Sequence, residues 1–170
     1  MVDSARSNGA RRVVVGLDDS VEARAALRYA LREARRRRTS VEVVAAFLSP
    51  ERFAVLDRVP VVADRAAVAT ATQAAARSVV DEVLAADRVE HPDDAVPPVA
   101  VRAVAGDPGP VLTGASSDAA LLVLGHRGRG RAATTVLGSV GWWCLRHARC
   151  PLTVIPTATA TPAGSAATAS

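Results

Sequence analysis

Short, largely apolar runs alternate along the chain with longer segments in which apolar residues recur at helical spacing. The apolar runs are Val13–Leu17, Val41–Phe47, Val99–Ala105, Leu121–Leu124 and Leu152–Ile155. Such short runs are typical of strands that are covered on both faces. Because helical segments separate them, the pattern predicts an α/β fold. We expect a doubly wound, five-stranded parallel sheet with helices on both faces.

Four helices are predicted between these strands. In the first, apolar residues recur from Ala23 to Ala34, with Arg and Glu on the other face. Asp19 or Ser20 can cap this helix. The other three are expected from about Asp64 to about Ala86, from Pro110 to about Ser117 and from Ser139 to Ala148.

The organisation predicted is one domain over residues 13–156, flanked by disordered tails at 1–12 and 157–170. The N-terminal residues lack the apolar core of a signal peptide, and no apolar run approaches the ~20 residues that span a bilayer. The expectation from these patterns is a cytoplasmic protein that does not enter a membrane.

A glycine-containing loop connects the fourth strand to the last helix. Gly125 and Gly128 follow the strand, and Gly138 and Ser139 precede the helix. Glycine lets a backbone approach an anion closely, and the free N–H groups of a first helical turn point at it. Asp18 also follows a strand, so it should share the same crevice. Neither a Walker A motif nor a Rossmann fingerprint is present, and glycines occur in ordinary turns as well.

The charge and the cysteines change this picture little. The net charge is +4, but much of the excess lies in Arg35–Arg38, at the end of a helix where cations suit the macrodipole. Few aromatic residues are available to stack on bases, which disfavours nucleic acid as a partner. Cys144, His147 and Cys150 have a spacing that could suggest a metal site, but buried structural thiols are the favoured interpretation.

The sequence resembles the universal stress protein family over about residues 11–156. Gly125-His126-Arg127-Gly128, nine further residues and Gly138-Ser139 match the family pattern G-x2-G-x9-G-[ST]. The opening VVVGLDDS resembles the family's first strand, with Asp19 in place of a glycine. ARCPL, at 148–152, resembles its closing segment. Ala120 departs from the family, which often has an acidic residue there.

The resemblance implies that the protein binds ATP, with Mg²⁺ as the expected accompanying ion. It also implies a homodimer formed through the Leu152–Ile155 strand, and a regulatory protein partner that the sequence does not identify. By position, Asp18 would contact the adenosine, and Gly16 and Ala46 would line the adenine pocket. The residues expected to hold ribose and phosphates are Gly125, Arg127, Gly128, Gly138, Ser139 and Val140.

Three classes of function compete: a nucleotide-dependent regulatory module, a true ATPase or nucleotidyl-transferring enzyme, and a dimeric scaffold that needs no nucleotide. The intact glycine pattern disfavours the scaffold. Phosphoryl transfer needs a positioned base and metal ligands, and residues 125–151 contain no Asp or Glu. We therefore expect an ATP-binding module of the stress response that is not an enzyme, or that hydrolyses ATP very slowly.

Overall fold

The predicted doubly wound parallel sheet is confirmed. A computed structural model describes residues 11–49, 64–126 and 137–156. Its five strands are β1 (Val13–Gly16), β2 (Val41–Phe47), β3 (Val99–Ala105), β4 (Leu121–Gly125) and β5 (Leu152–Ile155). All are parallel, in the order β3-β2-β1-β4-β5. The chain changes direction across the sheet between β1 and β4, so these two strands flank the topological switch point.

The helices in the described ranges are α1 (Val21–Arg37), α2 (Arg65–Glu90), α3 (Pro108–Ala115) and α4 (Ser139–His147). Ser20 caps α1 through a bond from the Ala23 N–H to its hydroxyl oxygen, at 3.1 Å. α2 runs four residues past the predicted end at Ala86, and α3 begins at Pro108 rather than Pro110. The extension of α2 matters because it brings Asp87 into the helix.

The helices cover both faces of the sheet. On one face, α1 and the C-terminal half of α2 pack against the side chains of Val13, Val15 and Val43. On the other, α3 and α4 pack against Val14, Val44 and Leu122. Because successive strand residues point to opposite faces, an apolar residue at every position of β1 supplies both cores.

A buried ion pair joins the two helices on the first face. Arg35 of α1 donates two hydrogen bonds to the carboxylate of Asp87 in α2, and both side chains are largely buried. The hydrogen bond from Arg35 is the main reason why the pKa of Asp87 is lowered. The sequence pattern places Arg35 in a basic run at the end of a helix, so its buried partner is a structural finding.

The N-terminal boundary needs a correction, because Arg12 belongs to the folded domain rather than to a tail. Its guanidinium bonds to Glu42, which is buried in β2, and to Asp118 and the carbonyl of Ala115. Arg102 also contacts Glu42, at 2.8 Å. The two arginines neutralise a carboxylate that would otherwise be buried without a partner.

Cys144 is fully buried among the side chains beneath α4, as expected for a structural thiol. Burial raises its pKa to about 11, with a smaller contribution from Cys150. The thiol is therefore protonated near neutral pH. No group of three or more His, Cys, Asp or Glu side chains in the described part of the chain could hold a metal ion.

Candidate functional site

A cavity of about 1270 Å³ opens at the carboxyl ends of β1, β2 and β4. This is the position at which open α/β sheets bind ligands. Seven of the nine predicted site residues line it: Gly16, Asp18, Ala46, Gly125, Gly138, Ser139 and Val140. The other two, Arg127 and Gly128, lie outside the described residues. Four separate stretches of sequence thus meet in one cavity.

Asp18 lies at the carboxyl end of β1, where it also has a structural role. Its Oδ1 accepts hydrogen bonds from the backbone N–H of Ser20, at 3.0 Å, and from the Ser20 hydroxyl. Ser20 in turn caps α1. Asp18 therefore holds the start of α1 in place while its side chain lines the cavity.

Ala46 presents its backbone to the cavity because β2 is longer than β1. The β1–β2 pairing ends at Gly16 and Val44, with a further bond from the Leu17 N–H to the Val44 carbonyl at 3.0 Å. Backbone groups alternate between the two sides of a strand. The N–H and carbonyl of Ala46 therefore point to the same side of β2 as those of Val44, the side of β1, but at a position beyond the end of β1. An N–H and a carbonyl that belong to one residue and point the same way can pair with the polar edge of a planar ring.

Gly16 and Gly125 are required by packing as well as by any ligand. A Cβ on Gly125 would lie 2.8 Å from the backbone carbon of Glu22 in the first turn of α1. A Cβ on Gly16 would lie 2.9 Å from Leu124 and 3.0 Å from Leu112. These two glycines let the helices approach the strand ends, which sets the depth of the cavity.

Gly138 differs, because the described residues leave space beside it. It is the N-cap residue of α4, with φ −66°, and the nearest atom that a Cβ at this position would meet among them is the carbonyl oxygen of His126, 3.9 Å away. As the N-cap residue, Gly138 has no side chain that could bond to the first turn of α4. The backbone N–H groups of its first turn, at Ser139 and Val140, therefore stand at the cavity wall with the positive end of the helix dipole. Such an N-terminus suits an anion.

Two contributions to the cavity were missed from the sequence. The N-terminal half of α2 forms one wall through Val68, Thr72 and Ala76, at spacings of four residues. Such spacing in sequence indicates only the core face of a helix. His126 also lines the cavity, and its buried Nδ1 has no hydrogen-bond partner among the described residues. Its backbone accepts a bond from the Gly138 N–H, at 3.3 Å, which ties β4 to the start of α4.

The described helices offer no candidate for a membrane span, since none combines sufficient length with sufficient apolar character.

The fold and the cavity define a doubly wound α/β protein with a ligand crevice at its switch point. The chain belongs to the universal stress protein family, whose family model matches residues 9–156. A universal stress protein of Mycobacterium tuberculosis strain H37Rv is 34% identical over 148 residues, which cover 87% of this chain and 48% of the relative. A second from that strain is 31% identical over 157 residues, covering 85% and 47%. This chain thus spans about half the length of the curated relatives it matches.

Solved structures share the fold. Universal stress protein UspA from Lactobacillus plantarum aligns with a TM-score of 0.63 at 19% identity, covering 86% of this chain and 98% of that one. A universal stress protein in complex with cAMP aligns at 0.55 and 22% identity, covering 86% and 98%. The Archaeoglobus fulgidus protein in complex with dAMP aligns at 0.56 and 22% identity, covering 85% and 97%.

Proposed function

We propose that this protein is an ATP-binding regulatory module of the stress response, whose nucleotide state alters its interaction with a protein partner. The observation that carries the proposal is the N-terminus of α4, where the N-cap residue Gly138 has no capping side chain, at the wall of a cavity that also contains Asp18 and Ala46. An anion site and a polar backbone edge in one cavity suit a nucleotide. Two structural relatives were solved with cAMP and dAMP, which supports the adenine nucleotide class.

In this proposal each part of the cavity takes one part of ATP. The backbone of Ala46, with Gly16 beside it, pairs with the edge of adenine. The Asp18 carboxylate accepts from the ribose hydroxyls. The N–H groups of Ser139 and Val140 and the Ser139 hydroxyl bind the phosphates, with Gly125 and Gly138 giving them room; Arg127 and Gly128 belong to the same proposed phosphate loop. Mg²⁺ enters with the phosphates rather than occupying a site built from protein side chains alone.

The proposal includes binding without efficient turnover. Helix N–H groups and a serine hydroxyl stabilise phosphates in the ground state as well as in the transition state, and equal stabilisation of both does not accelerate the reaction. The segment from Gly125 to Pro151 has no carboxylate that could orient a water molecule. Hydrolysis should therefore run well below the ~1 s⁻¹ at the low end of typical enzymes.

Calorimetric titration with ATP, ADP and adenosine tests the binding proposal. We expect ATP to bind more tightly than adenosine, because adenosine cannot use the N-terminus of α4. The same samples, incubated with radiolabelled ATP in a single-turnover format, should release phosphate only slowly. Absence of ATP binding at millimolar concentration would remove the proposal. Hydrolysis within seconds that is lost in Asp18→Asn or Asp19→Asn would replace it with an ATPase.

We also propose a homodimer formed through β5. In the described sheet β5 is an edge strand, and its four residues are only partly buried. The N–H of His126 bonds to the carbonyl of Ile155, so the backbone groups of Ile155 and, by alternation, Thr153 face β4. The backbone groups of Leu152 and Val154 therefore face outward. An outward-facing apolar edge invites pairing with another strand.

Val154→Pro should shift the protein towards the monomer, because proline removes an outward-facing N–H and leaves the pairing with β4 intact. Light scattering across micromolar concentrations measures the mass. Val154→Thr, which keeps the N–H and a β-branched side chain, is the matched control and should remain dimeric. A wild-type protein that is monomeric throughout this range would contradict the dimer.

A further inference from the structure

The helix that bounds the proposed phosphate site also carries an exposed apolar face. Trp142 is 51% exposed and Leu145 is 57% exposed. Around the axis of α4, Trp142 lies between Leu145, three residues later, and the exposed Arg146, four residues later. The buried Gly141 and Cys144 occupy the opposite side of the helix. We call Trp142, Leu145 and Arg146 the α4 face.

The α4 face is positively charged as well as apolar. Arg146 lies on it, and the exposed Arg149 follows the helix. Residues 119–156 contain no Asp or Glu. The neighbouring helix α3, Pro108–Ala115, has no charged residue, and Asp107, which precedes it, already has an interaction. A partner for this face must therefore bring the negative charge itself.

We propose that the α4 face binds an acidic, amphipathic helical segment of a partner protein, and that nucleotide in the cavity alters this binding. Tryptophan and arginine are the residue types that most often dominate binding energy at protein interfaces. An amphipathic helix offers apolar side chains to Trp142 and Leu145 and carboxylates to Arg146. The nucleotide dependence rests on the proposed function.

The link between cavity and α4 face is direct. Trp142 lines the cavity and is also half exposed on the α4 face. It lies within the first turns of the helix whose N-terminus is proposed to bind phosphate, and its own N–H bonds to the carbonyl of Gly138 at 3.0 Å. A ligand that binds at the start of α4 and shifts its first turn would therefore also shift Trp142. Coupling of this kind is reciprocal, so the partner must change nucleotide affinity by the same factor.

The structure favours a protein over nucleic acid at this face. Single-stranded nucleic acid needs several aromatic rings and a track of basic groups. Trp143, the neighbouring tryptophan, is already stacked on His147, with ring centroids 4.1 Å apart and planes 16° apart. It also packs over Gly109 of α3, where a Cβ would lie 2.5 Å from its ring. Of the two tryptophans, Trp142 is therefore the one available for stacking. Trp143 itself is 41% exposed.

A second copy of this chain is also disfavoured at the α4 face. A two-fold symmetric contact places the same surface on both sides. With the two-fold axis at this face, Arg146 would approach Arg146 of the other copy, and residues 119–156 contain no Asp or Glu to compensate.

A labelled synthetic peptide of about 18 residues, long enough to fold into a helix on binding, tests this proposal. It carries Leu and Phe on one face and Glu on the other, and a matched peptide replaces every Glu with Lys. Fluorescence anisotropy with the full-length protein should show binding of the Glu peptide and at least about tenfold weaker binding of the Lys peptide. Trp142→Ala should weaken binding of the Glu peptide at least about tenfold. Arg146→Glu should reverse the preference, so that the Lys peptide binds more tightly than the Glu peptide. Val89→Ser, which changes an apolar side chain that is 83% exposed on α2, is the control and should have no effect.

Any of four outcomes would overturn the proposal. The Glu peptide fails to bind at millimolar concentration, or Val89→Ser loses as much affinity for it as Trp142→Ala does. Alternatively, a single-stranded oligonucleotide binds more tightly than the peptide, or Trp142→Ala dissociates a dimer that the wild-type protein forms.

Repeating the titration with saturating ATP should change the affinity for the Glu peptide. An unchanged affinity, with ATP binding verified by calorimetry, removes the coupling. If ATP does not bind, the proposed function fails, while the titration without nucleotide still decides the docking site.

Discussion

Replacing Gly138 with valine should weaken ATP binding at least about 100-fold, equivalent to a loss of about 2.7 kcal/mol, while the protein stays folded. The backbone at Gly138 has φ −66°, which any residue can adopt, so the prediction does not depend on glycine's conformational freedom. Among the described residues, a Cβ there meets only the His126 carbonyl oxygen, at 3.9 Å. The valine side chain instead fills space in front of the N–H groups of Ser139 and Val140, where the phosphates are proposed to lie.

The measurement is calorimetric titration beside urea unfolding of the same variant. Valine is a poorer N-cap than glycine, so the free energy of unfolding should fall by no more than about 1 kcal/mol. Gly114→Val is the matched control, since a Cβ at Gly114 in α3 would also have open space around it, with no atom within 4 Å, and Gly114 does not line the cavity. It should bind ATP normally. Wild-type affinity in folded Gly138→Val would show that the loop has a structural role only.

Asp87→Ala should lower the free energy of unfolding by about 3–5 kcal/mol, because it leaves the guanidinium of Arg35 largely buried without its carboxylate. The side chains of Asp87 and Arg35 are 5% and 14% exposed. Urea unfolding followed by circular dichroism measures the change.

Glu82→Ala provides the control, since Glu82 is also on α2 and pairs with Arg24 of α1, at 2.5 Å, but its side chain is 60% exposed. The free energy of unfolding of Glu82→Ala should fall by at most about 1 kcal/mol. Equal effects of the two variants would show that the Arg35–Asp87 pair has no special part in joining the helices.

The same pair predicts a pH dependence. The pKa of Asp87 is lowered in the folded protein by the hydrogen bond from Arg35, whereas an unfolded Asp titrates near 3.9. The stability that the pair contributes is therefore fully present above about pH 4 and is lost as the pH falls from there through the folded pKa. Wild-type stability should fall more steeply below pH 4 than that of Asp87→Asn. Parallel curves for the two proteins would contradict this assignment.

Local patterns predicted the elements well, because each depends on neighbours in sequence. The runs at Val41–Phe47 and Val99–Ala105 are strands with the predicted bounds, and Ser20 caps α1. The end of α2 was misplaced because a polar stretch after Ala86 resembles a loop. Asp87 instead lies in the helix, and Arg35, 52 residues earlier, binds its carboxylate. No local pattern carries that information.

The candidate site divides in the same way. Glycine spacing and strand ends indicated Asp18, Gly125, Gly138 and Ser139, and the family resemblance added Gly16, Ala46 and Val140. All seven line one cavity. Their separate roles depended on distances across the fold. Gly125 must accommodate the backbone of Glu22, whereas a Cβ on Gly138 would meet no atom of the described residues nearer than 3.9 Å. The carboxylate of Asp18 accepts a hydrogen bond from the Ser20 N–H in the turn that precedes α1. The wall formed by α2 came from a helix whose small residues resembled an ordinary core face.

The sequence by itself determined the alternation of strands and helices, the sheet that this alternation requires and a glycine-containing loop between β4 and α4. These follow from hydrophobic period, capping residues and glycine position, which act over a few residues. Only the tertiary structure decided which glycine makes room for a helix and which has space beside it among the described residues, which arginine is buried, and which tryptophan packs against α3. Those outcomes depend on contacts between residues far apart in the chain, because packing and desolvation are set by whatever the fold brings alongside.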